Sequence, residues 1–294
     1  MKKLVAKISD LTYYRRNIIW CKYRYLRATW KNGFRPNKIV LFYPDLPLSW
    51  HLAYAICHAL GYAMTNDPKA KFDIAIAFED TTFRTDNPTL SDLEHRHRVL
   101  NSGCGDISKK RVDRVFLETF GYGLEVDPRT YDGLYVKKSN LNARHPLERF
   151  LTLDKPTEPE KGYVYQKLID NQIDKDFAMD VRTFIFGDAI PFVFYRKRSI
   201  HDRFNDDTVA ATLVETDKAF SKEEQASIVR FSKAFGLDYG ELDVLRDNKD
   251  GKIYIVDANN TTAGPQPGVH IKKDHYRLFI EKLAGAFRVM TSAA

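Results

Sequence analysis

Apolar and polar positions near the start of the chain repeat with a helical period. Within residues 11–30, every third or fourth residue is apolar or small: Leu11, Tyr14, Ile18, Cys21, Tyr25 and Ala28. This spacing places these side chains on one face of a helix, and Asn32, Gly33 and Pro36 follow as residues that end helices. Basic residues fill the other faces: Arg15, Arg16, Lys22, Arg24 and Arg27. The pattern therefore predicts a basic amphipathic helix.

From Lys38 onward the pattern changes to short apolar runs. Residues 39–43 (IVLFY) and 72–78 (FDIAIAF) are typical of buried strands, and residues 48–61 have a helical period between them. Because a strand, a helix and a second strand form a βαβ unit, we expect a first lobe with parallel strands. A further helix is predicted over 106–120, with Asp106 or Ser108 near its N-cap and Gly121 or Gly123 just beyond its end.

Beyond residue 130 the chain is rich in strands. Runs with strand character cover 134–138, 163–169, 181–186, 190–196, 240–245 and 253–259, and a helix is predicted over 221–235. Strands that follow a βαβ half predict a second, α+β lobe. The predicted fold class is therefore α/β and α+β, with a basic helical extension over 1–37, a βαβ lobe over 38–105 and a further domain over 106–290.

The positive charge of the chain is concentrated at its start. The whole chain has 46 Lys and Arg against 39 Asp and Glu, a net charge of +7, whereas residues 1–38 have eleven basic residues against the single acid Asp10. The rest of the chain is then slightly acidic, which argues against a uniformly basic nucleic-acid-binding protein. We expect residues 1–37 to lie on an anionic membrane surface, to pack on the body with a solvated basic face, or to contact a second copy of the chain.

The cysteines and the hydropathy pattern bear on location. Cys21, Cys57 and Cys104 are widely spaced and form no CxxC pair, so they indicate neither a disulfide framework nor a zinc site. No run approaches the roughly 18 uncharged apolar residues that a membrane span needs. We expect a cytoplasmic protein that the basic extension could hold at the inner face of a membrane.

A hairpin is predicted over residues 238–259, because the turn sequence DNKDG separates two strand-like runs. If Arg246 pairs with Lys252, the register places Asp243 opposite Ile255.

Oxygen-bearing side chains converge in this hairpin. Asp257 and Asn259 share one face of their strand by the period-2 rule, and the register places Asp243 on the same face, diagonal to Asp257. Such ligands suit Mg²⁺, which binds through one or two carboxylates together with substrate phosphates. The alternative is that these are ordinary turn and strand-end residues.

A second group combines an acid with arginines. Asp180 and Arg182 share one face of a predicted strand, and Arg196 and Arg198 follow at the end of the next strand. Arginines gathered in this way can neutralise a polyphosphate through bidentate contacts, or they can form a solvated charged loop.

In order and spacing these elements resemble the ATP-grasp superfamily, whose members include D-alanine ligase, glutathione synthetase and the ribosomal-protein glutamate ligases. The resemblance spans roughly residues 38–285 and implies that a two-lobed ATP-grasp domain follows a Rossmann-like first lobe. Segment 100–122 resembles the family's passage from the first lobe, an Asn-containing loop and a Lys-containing helix. A strand that ends in a nucleotide-binding lysine comes next, and here Lys137 is the better match and Lys138 the second.

The resemblance also implies roles for individual residues. The implied nucleotide-binding residues are Lys137, Lys138, the hinge-like segment Gln166, Lys167, Leu168 and Ile169, and Asp180. The implied catalytic residues, which would offset charge on the transferred phosphoryl group, are Arg182, Arg196 and Arg198. The implied Mg²⁺ ligands are Asp243, Asp257 and Asn259.

Two departures from the family pattern stand out. The family's glycine-rich phosphate loop is replaced by residues 139–145, which contain no glycine. Asp257 stands where many members have Glu, a shorter side chain that still coordinates Mg²⁺.

By this resemblance the protein would use ATP and Mg²⁺ to activate a substrate carboxylate as an acyl phosphate, which an amine or another nucleophile captures, for instance in modification of a cell-surface polysaccharide or a peptide. We expect the loop Thr261–Pro265 and His270 to border this second substrate. One alternative is a kinase on the same scaffold that phosphorylates a sugar hydroxyl. Another is a non-catalytic scaffold that binds a membrane or a polyanion through residues 1–38.

Overall fold

The structure is a computed structural model that describes residues 18–142, 152–153, 157–202, 208–264 and 271–292. Its helices are α1 (residues 18–29), α2 (Leu52–Leu60), α3 (Pro88–Arg96), α4 (Lys109–Phe120), α5 (Thr216–Ala219), α6 (Lys222–Phe235) and α7 (Lys273–Ser292). Its strands are β1 (Lys38–Pro44), β2 (Tyr62–Thr65), β3 (Ile74–Phe78), β4 (Val99–Leu100), β5 (Tyr135–Ser139), β6 (Thr152–Leu153), β7 (Tyr163–Lys167), β8 (Phe177–Phe186), β9 (Val193–Ser199), β10 (Ala210–Val214), β11 (Tyr239–Arg246) and β12 (Ile253–Asn259).

The strands form one parallel and two antiparallel sheets. The parallel sheet has the order β2-β1-β3-β4, the larger antiparallel sheet β10-β9-β8-β11-β12, and the smaller one β6-β5-β7. The predicted fold class, a parallel lobe followed by strand-rich lobes, is confirmed. The domain boundaries after residues 37 and 105 stay predictions.

The parallel sheet holds the core of the first lobe. β3 is buried at every residue, as is the centre of β1, which confirms the strands predicted over 39–43 and 72–78. The predicted βαβ unit needs one correction, because the strand that follows α2 is β2, which pairs in parallel with β1. β2 is fully buried only at Tyr62, so its sequence lacks the apolar run that marks a buried strand.

α1 packs on α2 and α7, which cover one face of the parallel sheet. Cys21 of α1 is fully buried in the core that these helices share with β1 and β3. The Trp20 and Tyr276 rings lie 5.8 Å apart between centroids, and Asn37 donates to the Leu60 carbonyl (2.8 Å). The predicted helix is confirmed over the part that the structure describes. Its first apolar positions, Leu11 and Tyr14, lie outside the described residues.

α4 and α6 end where the sequence predicts. The Ser108 hydroxyl accepts a hydrogen bond from the Arg111 amide and caps α4, which ends at the left-handed Gly121. A capping box joins Ser221 to Glu224 at the start of α6. Both helices contribute to a single core with the larger antiparallel sheet.

The two faces of the five-stranded sheet differ in character. One face is apolar and belongs to the core of α4 and α6, with Val181, Ile185 and Leu242 among its buried residues. The opposite face is divided. Its aromatic half consists of Phe184, Phe186, Phe194 and Tyr239, which pack against α7. Its charged half consists of Asp180, Arg182, Arg196, Arg198, Glu241, Asp243, Asp257 and Asn259. Within the described ranges, no helix is both long enough and apolar enough to span a bilayer.

Candidate functional site

The charged half brings together side chains from four neighbouring strands. Register pairs Arg182 with Asp243, Asp243 with Asp257, and Asp180 with Arg196. Directly paired residues of an antiparallel ladder point to the same side, so these side chains form one continuous polar surface. The structure therefore juxtaposes the predicted metal ligands and the predicted catalytic arginines.

Arg182 links the buried Glu241 and the partly buried Asp243. Its Nε lies 3.1 Å from Asp243 Oδ1, and its Nη1 lies 3.0 Å from Glu241 Oε1. Burial alone would raise the pKa of Asp243, but the charges of Arg182 and Arg198 outweigh it and the pKa is lowered. Asp243 is therefore an ionised carboxylate held by a guanidinium fork.

The hairpin register differs from the prediction at one point. Arg246 pairs with Ile253 rather than with Lys252, and a β-bulge between Asp243 and Val244 shifts the ladder, so that Asp243 lies opposite Asp257 and not opposite Ile255. A bulge adds one residue to one strand and re-aims the side chains beside it. It brings the two acids closer together than the diagonal that regular pairing predicts.

Asp257 has a buried oxygen, Oδ1, with no hydrogen-bond partner among the described residues. Lys109 Nζ forms an ion pair with this oxygen at 3.6 Å. Burial and the charge of Asp243 raise the pKa of Asp257, although Lys109 and Lys138 oppose this. The paired carboxylates therefore repel each other, an arrangement that a bound cation would relieve.

Asn259 is engaged within its own loop. Its Oδ1 accepts from the Thr261 amide (2.8 Å) and the Thr261 hydroxyl (3.2 Å). The Thr261 hydroxyl also lies 3.0 Å from Asp80 Oδ1 in the loop after β3. Asn259 thus joins β12 to the first lobe, and its oxygen would have to exchange partners to bind a metal. His270 and Pro265 lie outside the described residues.

Asp180, Arg196 and Arg198 form a second buried charge cluster. Arg198 Nε lies 2.6 Å and Arg196 Nη2 3.7 Å from the same Asp180 oxygen, Oδ2. Arg196 is 7% exposed, and its Nε and Nη2 atoms have no hydrogen-bond partner among the described residues. Arg196 is therefore a buried cation whose only ion pair among the described residues is the long contact with Asp180.

The two adjacent lysines of β5 point in opposite directions. Lys137 forms an ion pair with Glu160 and lies over the Tyr163 ring, 4.2 Å from its centroid. The charges of Asp113, Asp257 and Asp180 favour the protonated form of Lys138. Burial and the charge of Lys109 lower the pKa of Lys138 to about 8. The structure places Lys138, the second match to the family's lysine, on the side of the acids. Lys137 faces away from them, because neighbours on a strand face opposite sides.

The hinge-like segment continues β7. The Gln166 side chain is buried and its Nε2 donates to Asp113 Oδ1 of α4 (2.7 Å). Lys167 donates to the Tyr254 hydroxyl, the Leu168 amide donates to the Leu134 carbonyl (2.9 Å), and Ile169 is buried in the core of α4 and α6. Burial raises the pKa of Asp113 to about 6, although the hydrogen bond from Gln166 opposes it. The side chains of Gln166, Lys167 and Ile169 are therefore committed to the protein, and so are the Lys167 and Leu168 amides, which donate to the Leu124 and Leu134 carbonyls.

The glycine-free loop is described only as far as Asn142. Asn140 binds the start of α4 through its Oδ1, which accepts from the Lys110 amide (3.0 Å), and through its carbonyl, which accepts from the Lys109 amide (3.3 Å). Arg144 and His145 lie outside the described residues. In its described part the loop thus fixes the start of α4.

Two residues of the site were missed by the sequence prediction. Lys109 begins α4 and reaches Asp257, and it belongs to the Lys-containing helix that the resemblance named without a specific residue. Glu241 is 3% exposed and pairs with Asn259 across the ladder. The period-2 rule could have found Glu241, because it lies two residues before Asp243 on the same strand.

The Asn101 loop has a structural role. Asn101 is fully buried; its Oδ1 accepts from the amides of Asp238 and Tyr239 (2.8 and 2.9 Å), and its Nδ2 donates to the Tyr239 carbonyl (2.7 Å). These bonds fix the start of β11, which carries Glu241 and Asp243.

Comparison with known proteins identifies the architecture. No protein-family model and no curated protein sequence matches the chain. Among solved structures, D-alanine–D-alanine ligase from Bacillus anthracis aligns over 87% of this chain and 96% of its own, with a TM-score of 0.50 and 12% sequence identity. The chain has the ATP-grasp fold. Since the identity is so low, the likeness shows the fold and does not transfer an activity.

Other structures with the ATP-grasp fold align less well. The ligase PsnB, solved with a phosphomimetic variant of its minimal precursor, Mg and ADP, aligns with 17% identity and a TM-score of 0.47 over 69% of this chain. The chain spans just under two thirds of PsnB, 66% of its length. The macrocyclase MdnC from Microcystis aeruginosa, bound to its precursor peptide MdnA, aligns over 85% of this chain with 14% identity and a TM-score of 0.43.

Proposed function

We propose that this protein is an ATP- and Mg²⁺-dependent ligase that joins a carboxylate to an amine. The observation that carries the proposal is the charged half of the sheet. There the facing acids Asp243 and Asp257 lie among Lys109, Lys138 and Arg182, within an ATP-grasp fold. Closely spaced acids and cations of this kind suit a metal-bound polyphosphate.

The donor set fits a magnesium ion. Asp257 has an oxygen without a hydrogen-bond partner and lies across from Asp243, which is ionised. Within the part of the chain that the structure describes, no group of three or more His, Cys, Asp and Glu could hold a metal by itself. Two carboxylates are nevertheless what Mg²⁺ commonly takes from a protein, with phosphate oxygens and waters as its other ligands. When bound, the ion would offset negative charge on the phosphate oxygens.

The cations fit the phosphates. Arg196 has buried donors without partners, and Lys109 and Lys138 approach Asp257 from α4 and β5. Fixed positive groups in a site of low exposure stabilise charge that develops on a transferred phosphoryl group. We assign Arg182 a different task, which is to hold Asp243 in the ionised form that binds the metal.

The proposed reaction has two steps. An oxygen of the substrate carboxylate attacks the γ-phosphorus of ATP, the bond to the bridging oxygen breaks, and ADP leaves with an acyl phosphate in place. The amine nitrogen then attacks the acyl carbon and loses a proton, the bond from that carbon to the phosphate oxygen breaks, and inorganic phosphate leaves with the proton as HPO4²⁻. No side-chain nucleophile takes part, and Cys104 is unsuited to that role because burial raises its pKa to about 12.

The loop that follows β12 supports a second-substrate site between the two lobes. Besides the Thr261 to Asp80 contact, the Thr262 carbonyl accepts from the Leu52 amide at the start of α2 (2.9 Å). These bonds place the end of β12 beside the carboxyl ends of β1 and β3, where open parallel sheets bind their ligands. We propose that the carboxylate and the amine enter here.

The test is an ADP-release screen with pooled carboxylates, in which hydroxylamine replaces the unknown amine. An acyl phosphate is captured as a hydroxamate, so a ligase releases ADP and forms hydroxamate in equal amounts. A kinase on this scaffold would release ADP only with hydroxyl acceptors and would form no hydroxamate. Hydroxamate formation that Asp257→Asn leaves unchanged would contradict the proposed role of the two acids.

A further inference from the structure

The outer face of α1 carries an apolar ridge. Four side chains form it, Ile19, Tyr23 and Leu26 of α1 and Trp30 at the start of the 3₁₀ turn that continues α1, and they are 68%, 60%, 52% and 69% exposed. Their spacing of four, three and four residues lines them up along one side of the helix. The inner face, with Cys21 and Thr29 fully buried, packs on the body. α1 therefore has two apolar faces, and the core uses only one.

Cations flank the ridge. At 100° per residue, Lys22 lies on one side of it and Arg27 on the other, and both are exposed. Lys31 and Arg35 continue the positive side after the helix and are also exposed. Residues 18–37 contain no Asp or Glu. Arg24 is the exception among these cations, since it turns to the body and pairs with Glu281 (3.8 Å).

α1 is fixed to the body in this orientation. The Asn37 amide donates to the Gly61 carbonyl (2.9 Å), and the Asn37 side chain donates to the Leu60 carbonyl (2.8 Å). Gly61 has φ of +68°, and a Cβ there would lie 2.9 Å from the Thr29 methyl group, so α1 and α2 approach closely. The ridge therefore projects from the molecule on a firmly seated helix.

We propose that the ridge and its flanking cations form a docking surface for an anionic phospholipid membrane. Apolar side chains with Tyr and Trp among them, bordered by Lys and Arg, suit the boundary between acyl chains and negatively charged headgroups. The helix lies parallel to the bilayer with the ridge inserted and Lys22, Arg27 and Lys31 at headgroup level. This surface is independent of the proposed ligase activity.

A second copy of the chain fits the ridge less well. Four side chains of this size expose on the order of 500 Å², whereas each partner of a stable complex buries about 800 Å². A symmetric contact would also bring the same cations of both copies together, with no acid from residues 18–37 to pair with them.

The test uses the full chain and two kinds of vesicle, pure phosphatidylcholine and phosphatidylcholine with one third phosphatidylserine. We expect co-sedimentation with the anionic vesicles at low salt, little with the neutral vesicles, and release at high salt. The variant Lys22→Gln, Arg27→Gln, Lys31→Gln should bind roughly 100-fold more weakly. The control variant changes three exposed lysines elsewhere, Lys69→Gln, Lys71→Gln and Lys249→Gln, and so loses the same charge as the first variant. Its affinity for anionic vesicles should stay within about twofold of the wild type.

The ridge is tested separately from the charge. Leu26→Ser with Trp30→Ser should weaken vesicle binding by at least roughly tenfold, and lipids with brominated tails should quench Trp fluorescence of the wild type more than that of Trp30→Phe. No binding to anionic vesicles at low salt would overturn the proposal. Full vesicle binding by the ridge variant would also overturn it, because binding would then rest on charge alone. A dimer that is seen by sedimentation velocity and that the ridge variant dissociates would overturn it as well.

Discussion

The aromatic and charged halves occupy one face of the same five-stranded sheet and follow the same alternation of side chains. Phe184 and Arg182 are two residues apart on β8, yet Phe184 lies in a core of rings and Arg182 between two carboxylates. α7 covers the aromatic half, where Phe279 touches both Phe184 and Phe194. The charged half faces lysines from α4 and β5 instead.

The difference separates the aromatic half, which stabilises the fold, from the charged half, which we propose binds the ligand. The aromatic half is apolar apart from the Tyr239 hydroxyl, whereas the charged half consists of polar groups, and among these Asp257 and Arg196 have buried atoms without hydrogen-bond partners among the described residues. Buried polar groups left unsatisfied destabilise the fold and are expected where a ligand completes the site. Variants in the two halves should therefore separate loss of folding from loss of binding.

The largest effect is expected in the aromatic half. Phe184→Ala removes a ring that is 1% exposed and should lower the free energy of unfolding by about 4 kcal/mol. Thermal denaturation would show this as a fall of roughly 10 °C in Tm. The control Phe83→Ala, at a ring that is 46% exposed, should change Tm little. Equal effects of the two variants would mean that the aromatic half stabilises the fold no more than an exposed ring does.

A smaller loss is expected when a cation leaves the charged half. Arg182→Met leaves Glu241 and Asp243 without their guanidinium and should cost about 3 kcal/mol of unfolding free energy in a urea titration. Lys233→Met breaks an exposed pair with Asp188 and should cost at most about 1 kcal/mol. If Arg182→Met proved as mild as Lys233→Met, the two acids would not depend on Arg182.

The pH dependence of the unfolding free energy should reveal the lowered pKa of Lys138. Its pKa is about 8 in the folded protein against 10.5 for a free lysine, so between these values the unfolded chain binds more protons than the folded one. The stability of the wild type relative to Lys138→Met should therefore rise with pH across this window, by up to about 1.4 kcal/mol per pH unit. Below pH 8 the difference should be constant. A difference that stays constant with pH would place Lys138 in a solvated environment, and one that falls with pH would mean that the neighbouring acids outweigh burial.

The smallest effect is expected for Asp257, and it distinguishes a ligand-binding role from a stabilising role most clearly. Asp257→Asn removes a carboxylate that faces Asp243, so the ligand-free protein should become more stable by up to about 1 kcal/mol at neutral pH. The exposed control Asp188→Asn should change the unfolding free energy by less than about 0.5 kcal/mol. Clear destabilisation by Asp257→Asn in a urea titration would mean that this acid holds the fold together.

Much of the fold was predictable because its elements carry periodic apolar patterns and end signals. The strand over 253–259 is found at its predicted residues, and α4 ends at Gly121, one of the two glycines predicted to end it. α7 was not predicted, although Phe279, Leu283 and Phe287 recur every fourth residue. Its pattern is visible in the sequence, but its place against α2 and the aromatic half follows only from the tertiary structure.

The site was less predictable where it depends on tertiary detail. Asp243 and Asp257 could be placed on one face from the period of a strand, but the bulge that sets them opposite each other has no signal in the local sequence. Which of Lys137 and Lys138 turns inward depends on the pairing of β5 with β7. Arg196 could be named as a cation, whereas its unpartnered donors follow only from what surrounds it.

The most direct test of the central claim, that the charged half binds metal-bound ATP, is a thermal shift of the wild type and Asp257→Asn with ATP and Mg²⁺, each against Mg²⁺ alone. Ligand at a hundred times its Kd adds about 2.7 kcal/mol, which should raise the Tm of the wild type by roughly 5 to 11 °C. We predict that shift for the wild type and almost none for Asp257→Asn. No shift of the wild type at millimolar ATP and Mg²⁺, or an equal shift of both proteins, would contradict the account.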